Sequence, residues 1–493
     1  MSTHLSTNEA SSGNTAAMLY RIFWRLHFWS GLMTAPILLF AAVSGILYIF
    51  TPQIEAWKYQ DLDQVDRIMS RLPLDQQLAA AQSALPGKTV KTIIPAYLEG
   101  ETTKIVFGEA RQEREQLLPK ASIAAVPAGT NTSEHSDHIE HKHPAPVDKI
   151  SKESKTDHSE HNTNQPAAAE TIVAYVDPGT ARVQGALAES DRFRNWSRKL
   201  HSNMLQGDGW RWLIELGASW MLLMMITGIY LWWPRGKASW RSVLQWTGNN
   251  TALNTRANWR YLHSIVSVAL GLVTLTILLT GITWSKYAGE NFRMIQNLTS
   301  QNSPRAPKNL ISIVPVDGAA ALSLQAIYTK AKQLAPDIQM QLTPPKASGG
   351  IWRVENYDRS QPAKRFQLVL DAYAGNALYQ SDWASLPTLA RATAVGIAFH
   401  RGEFGWWNQA LLVLVGLSVM FSVISGYVMW LQRRKARSIS APKIQSYHIR
   451  AVPWWMWVSL LGLGIFLPTL GMSLLIILSL EAGALLWQRQ PVM

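Results

Sequence analysis

The sequence predicts an α-helical membrane bundle carrying two external α+β modules, and three observations lead there. Charged residues are 16% of the 493 positions while Trp alone supplies 22, whereas an average soluble chain is about 25% charged. The apolar residues are gathered into a few long blocks, so a mean hydropathy of −0.01 averages two different kinds of chain. The chain has no cysteine, which excludes disulfides, thiolate zinc sites, cysteine-ligated iron–sulfur clusters, attached c-type haem and cysteine nucleophiles. An all-soluble enzyme is excluded, and any metal must be held by His, carboxylate or Met.

Residues 1–18 are rich in Ser, Thr and Asn and are expected to be a disordered cytoplasmic start. The segment 19–50 holds the first span, apolar from about Phe28 to Phe50; no small-x-small site follows it, so it reads as an uncleaved helix. Residues 51–200 form the first external module, with an insertion at 111–168, and residues 201–233 lead into a span from about Trp212 to Trp233. A loop at 234–261 precedes the span 262–284, the second module occupies 285–399, and residues 400–431 lead through a span from about Trp407 to Leu431. After a basic loop at 432–453, the block 454–487, interrupted by Pro468, reads as one long or bent C-terminal helix. Trp and Tyr crowd the block ends, as at Tyr230, Trp232, Trp233, Trp284, Trp406 and Trp407, where amphipathic rings suit the headgroup level.

Orientation follows from Lys and Arg. The start, the loop 234–261 and the loop 432–453 together hold thirteen basic residues against the single acid Glu9, nearly the whole net charge of +13. These segments are therefore expected in the cytoplasm, with both modules outside, and the charge implies no nucleic-acid partner. A last block that crosses once would put the C-terminal tail outside.

A Ser or Thr followed by Gly recurs in the first four spans, at Ser44-Gly45, Thr227-Gly228, Thr280-Gly281 and Ser425-Gly426, with a further pair, Ser30-Gly31, in the first. His27 precedes Gly45 by 18 residues, as His263 precedes Gly281; His201 precedes Gly228 by 27 and His400 precedes Gly426 by 26. The chain thus reads as two copies of helix, external module, helix. Each module reads as a helix (72–85 and 318–334) on a small antiparallel sheet whose last hairpin turns at VDPGTA or DAYAG. The insertion contains His135, His138, His141, His143, His158 and His161, half of the 12 histidines. Such a tract is expected to be a disordered linker, with loose capture of Zn, Cu, Ni or ferrous iron as the alternative.

Setting aside that tract, His4 and His448 leaves His27 and His263 at the cytoplasmic ends of spans one and three, and His201 and His400 outside the membrane before spans two and four. One such histidine is ordinarily a hydrogen-bonded interface residue. Four, matched by duplication, fit axial ligation of two b haems, since a bis-imidazole iron needs one histidine from each of two facing elements. His27 with His263 would hold a haem near the cytoplasm, and His201 with His400 one near the outer surface. Arg25, Arg198, Arg260 and Arg401 are candidates for the propionates or, alternatively, for lipid headgroups. Gly31, Gly45, Gly228, Gly281 and Gly426 would admit close approach of a ring, or simply close helix packing.

The segments WRLHFWSG, SGILYIF, YVDPGTARVQG, TGIYLWWP and FHRGEFG, in this order over residues 20–431, resemble the PepSY-associated transmembrane helix family, which includes iron-regulated inner-membrane proteins and haem-containing ferric-siderophore reductases. The resemblance implies PepSY-like modules, two b haems in the membrane core, and electron export to ferric complexes outside the bacterial inner membrane. Its usual Asp-Pro-x-Thr-Gly turn becomes Asp177-Pro178-Gly179-Thr180-Ala181 here, and Asp371 to Gly375 in the second copy.

The expected activity is transmembrane reduction of a ferric siderophore or other ferric chelate. The donor is a cytoplasmic flavin or NAD(P)H reductase, or membrane quinol, because no nucleotide-cradling loop is present. Reduction weakens hard-oxygen ligation and releases Fe(II). Arg353, Tyr357, Arg365 and Arg401 are possible chelate contacts, although a solvated surface explains them as well. Two rival classes are a non-enzymatic regulatory or assembly protein, which leaves the four histidines unexplained, and a metal transporter, for which Glu215 and Glu481 lie near helix ends rather than along a path.

Overall fold

A computed structural model describes residues 3–66, 70–109, 170–235, 239–240, 255–434 and 452–487, with side chains from residue 16 onward through residue 480. The histidine-rich tract lies outside them, as does most of both basic loops.

Helix α1 (Thr3–Ile49) continues through the amino-terminal stretch that the composition marks as disordered. Once an apolar helix is nucleated, each added residue gains a hydrogen bond, and no proline precedes Pro36. Short helices α2 (Thr51–Lys58) and α3 (Gln60–Asp63) lead to α4 (Leu74–Ala84) and strands β1 (Thr89–Ile94), β2 (Thr103–Gly108), β3 (Ile172–Val176) and β4 (Val183–Ala188). Helix α5 (Phe193–Asn203) then precedes α6 (Arg211–Trp232).

The second copy follows with α7 (Arg256–Ala269), α8 (Gly271–Ile282), α9 (Ala288–Leu298), α10 (Leu324–Leu334), β5 (Met340–Thr343), β6 (Ile351–Asn356), β7 (Phe366–Asp371) and β8 (Ala377–Asp382). Helices α11 (Thr388–His400) and α12 (Trp406–Arg433) complete it, and α13 (Trp454–Phe466) and α14 (Pro468–Trp487) end the chain.

Among the described residues, three helical segments, Ala16–Ile49, Asp208–Trp232 and Trp406–Arg433, are long and apolar enough to cross a bilayer. The third expected span is instead the pair α7 and α8, bent by 60°. Leu270 leaves the helical region with φ −100° and ψ 4°, and Gly271 follows it, a residue that resists a break least. Helix α1 packs on α6 and α12, α7 packs on α12, and α8 packs on α6 and α11.

The two modules are not separate. Their strands form one antiparallel sheet in the order β4-β3-β2-β1-β5-β6-β7-β8, closed at its centre where Ile93 pairs with Leu342. Each half is a meander, and β5 was not evident from the sequence pattern. One core spans both copies, joining Ile93, Ile105 and Phe107 to Ile327, Leu342, Leu368 and Leu370. Each such side chain, fully buried, contributes roughly 1.5–3 kcal/mol. Helices α4 and α10 cap one another: the Asp75 carboxylate accepts the N–H groups of Leu324 and Gln325 at 2.9 and 3.0 Å, and Gln325 Oε1 accepts that of Leu74 at 3.0 Å. Both expected hairpin turns form around an Asp. Asp177 accepts from Gly179 N and Thr180 Oγ1, and Asp371 from Tyr373 N and Ala374 N.

The C-terminal block is not one helix. Leu467 adopts ψ 81° before Pro468, whose missing N–H starts a new helix without loss. Helices α13 and α14 meet where Gly464 faces Gly471 so closely that a Cβ on Gly471 would lie 2.5 Å from the Gly464 carbonyl. Thr469 and Ser473 of α14 bond to Ser219 and Trp220 of α6 at 3.4 and 3.0 Å. Both sequence numbers rise together, so α14 runs parallel to α6 and away from the sheet. Helix α14 therefore ends at the end of the bundle opposite the sheet, and the block forms two helices in place of the single crossing expected above.

Candidate functional site: four tied imidazoles

His27 lies on α1 and His263 on α7, and their rings come together with centroids 6.4 Å apart and planes at 88°. His201, on α5, and His400, the last residue of α11, are electrostatic neighbours at the sheet end of the bundle. All four are half-buried. The structure thus brings His27 beside His263 and His201 near His400.

Each histidine is tied by one of the four Ser/Thr-Gly motifs, a role the sequence did not reveal. Nδ1 of His27 lies 3.0 Å from Thr227 Oγ1, that of His201 3.0 Å from Ser44 Oγ, that of His263 2.9 Å from Ser425 Oγ, and that of His400 3.1 Å from Thr280 Oγ1. The hydroxyl protons are spent within their own helices: Thr227 donates to Leu223 O at 3.0 Å, Ser44 to Phe40 O at 2.7 Å, Thr280 to Thr276 O at 2.9 Å and Ser425 to Ser422 O at 3.2 Å. Each hydroxyl oxygen is left to accept, so the imidazole Nδ1 donates. A carbonyl in the same helix supplies a second acceptor, Ile277 O at 3.0 Å for His400, with Met224, Ala41 and Ser422 in the same relation to His27, His201 and His263. A neutral imidazole protonated at Nδ1 presents the Nε2 lone pair, the form that ligates a metal.

The glycines make room for these rings. A Cβ would lie 3.3 Å from His201 Cε1 at Gly45, 3.2 Å from His27 Cε1 at Gly228 and 3.0 Å from His400 Cε1 at Gly281. Gly426 meets nothing within 4 Å, and Gly31 has only Met224 Sδ at 3.6 Å.

The four arginines differ. Arg401 pairs with Glu403 at 2.7 Å, while its Nε and Glu403 Oε2 are buried without a protein partner. Burial raises the Glu403 carboxyl above the ordinary range against the opposing charge of Arg401. Arg198 is an electrostatic neighbour of Arg211; Arg25 and Arg260 stand on α1 and α7 shortly before His27 and His263. Of the possible chelate contacts, Arg353 is exposed on β6, Arg365 lies beside Arg359 and Glu355, and Tyr357 neighbours Lys104. His135, His138, His141 and His143 fall outside the described residues, among which no group of three or more His, Asp or Glu gathers.

Arg192, which no motif marked, anchors the helix that bears His201. Its guanidinium bonds Asp63 through both Nη atoms at 2.8 and 2.7 Å and bonds the Tyr175 hydroxyl. Lys104 joins Asp63 at 2.9 Å. Burial works to raise the Asp63 carboxyl, but the Arg192 hydrogen bonds and the Lys104 charge hold it below its ordinary value of 3.8. The Tyr59 hydroxyl accepts Phe193 N at 3.1 Å, completing the seat of α5.

A family model described as the PepSY-associated TM region matches residues 24–433. A search of curated proteins found no match.

Proposed function

The chain belongs to the family of the PepSY-associated TM region, and from that premise we propose that it is a bacterial inner-membrane electron-transfer protein with two b haems that reduces ferric siderophores or other ferric chelates outside the cytoplasm. The observation behind the reading is the fourfold tie, which takes up Nδ1 of His27, His201, His263 and His400 and so puts the lone pair of each imidazole on Nε2.

Bound haem would supply one-electron redox chemistry at two depths of the bilayer. The residues fit it: His27 with His263 and His201 with His400 would be the axial ligands. Arg401, with a buried Nε lacking a protein partner, suits a propionate. The hydroxyls of Thr227, Ser425, Ser44 and Thr280 keep the proton on Nδ1 and off the ligating nitrogen. The basic loops favour an N-terminus in the cytoplasm, where a flavin or NAD(P)H reductase, or quinol in the bilayer, would be the donor. The sheet would then stand over His201 and His400 on the side of the ferric substrate.

Transport fits less well, because the Glu215 carboxylate is occupied in structure: it accepts Tyr287 N at 2.8 Å and Ala288 N at 3.2 Å. A regulatory role gives the four ties no purpose.

Pyridine haemochrome analysis of the purified protein should give close to two haems per chain. His27→Ala or His263→Ala should remove one haem, and His201→Ala or His400→Ala the other. Folded wild-type protein free of haem overturns the reading. Loss paired as His27 with His201 overturns the assignment of ligands.

A further inference from the structure

We infer that Thr227 and Ser425 are positioning residues that hold the His27 and His263 imidazoles in crossed planes and so set the redox character of that site. The inference rests on the haem-binding reading above. A histidine ring turns about a broad, soft torsion, so a definite mutual angle needs a restraint on each ring. Here the angle is 88°, and each ring has its own side-chain restraint, Thr227 at 3.0 Å and Ser425 at 2.9 Å, beside the carbonyls of Met224 and Ser422.

The restraints are themselves fixed. Thr227 Oγ1 also bonds Leu223 O at 3.0 Å and Met224 O at 3.1 Å, and Ser425 Oγ bonds Ser422 O at 3.2 Å. Neither hydroxyl can swing to follow a turning ring without giving up a bond in its own helix. The ties also cross between helices: the α1 histidine is held by α6 and the α7 histidine by α12. Two hydrogen bonds thus bind four helices to the orientation of two rings. Chemically, donation from Nδ1 to an oxygen makes the imidazole more basic at Nε2, which favours the oxidised metal and lowers the potential. Crossed imidazole planes give low-spin ferric iron a strongly anisotropic electron paramagnetic resonance signal, whereas parallel planes give a rhombic one.

The test uses the full-length protein as wild type, Thr227→Val and Thr227→Ser, with haem content, potentiometric midpoint and paramagnetic resonance measured on the same samples. Valine keeps the shape but cannot accept. In Thr227→Val the midpoint of one haem should rise and its anisotropic signal should move toward the rhombic form, while Thr227→Ser keeps the wild-type behaviour. Selective loss of that haem in Thr227→Val, restored by Thr227→Ser, supports the same role. A Thr227→Val protein with two haems and an unchanged signal and midpoint overturns the inference and leaves the haem reading intact; wild type without haem overturns the haem reading itself.

Discussion

Ile93 lies opposite Leu342 at the rung where β1 meets β5, and both side chains are almost wholly buried in the core shared by the two copies. The two meanders are therefore halves of one sheet over one hydrophobic core.

Leu342→Ala should accordingly loosen both halves. Removing a buried leucine side chain costs about 2–5 kcal/mol. Hydrogen exchange should rise together in β2 and β6, on either side of the mutated rung. Exchange rising in β6 alone would mean that the halves unfold independently.

A second expectation concerns pH. Asp63 has a folded-state pKa held below its ordinary value of 3.8 by Arg192 and Lys104 despite burial. A depressed carboxylate contributes stability that is fully present above the unfolded value and is lost as pH falls through the folded one. Melting temperature should therefore drop as pH falls below about 4 in the wild type. In Arg192→Met the drop should be shallower, from a lower starting stability; parallel curves for the two proteins would remove Asp63 from the account.

Local features were legible in the sequence, and contacts between distant residues were not. The matched spacing of His27, His201, His263 and His400 exposed both the duplication and the pairs that come together, because repeated periods survive in one dimension. The tie between His27 and Thr227 spans 200 positions and that between Ser44 and His201 spans 157, so the Ser/Thr-Gly motifs could be counted but not matched to partners. Arg192 was missed because its partner Asp63 is 129 residues away. Fusion of the sheets rests on one short strand, β5, too brief to show alternation. The breaks at Leu270 and Leu467 lie inside apolar runs, where composition is uniform and only tertiary packing selects the bend.

The glycines beside the imidazoles should rank by contact distance. Alanine at Gly281 brings a Cβ within 3.0 Å of His400, at Gly228 within 3.2 Å of His27 and at Gly45 within 3.3 Å of His201, while Gly426 meets nothing within 4 Å. Overpacking of this kind forces neighbours aside at a cost of about 1–3 kcal/mol. On the proposed haem-binding reading, haem retention after gel filtration should fall most for Gly281→Ala and least for Gly426→Ala. The reverse order would show that these glycines serve helix contacts rather than the rings.

The C-terminal hairpin sets up the most direct topological test. Thr469 and Ser473 bond to Ser219 and Trp220 in rising order, so α14 descends alongside α6, and both helices end on the face opposite the sheet. Since the chain has no native cysteine, single cysteines can be introduced and read without background. Gln490→Cys, just beyond α14, should react with an impermeant maleimide from the same side of the membrane as Asn249→Cys in the connection after α6. Ser303→Cys, on the sheet side of the bundle, should react from the other side. The comparison is internal and holds whichever face is cytoplasmic. If Gln490→Cys labels together with Ser303→Cys, α13 and α14 make one crossing between them, and the turn through Gly464 and Gly471 does not exist in the bilayer.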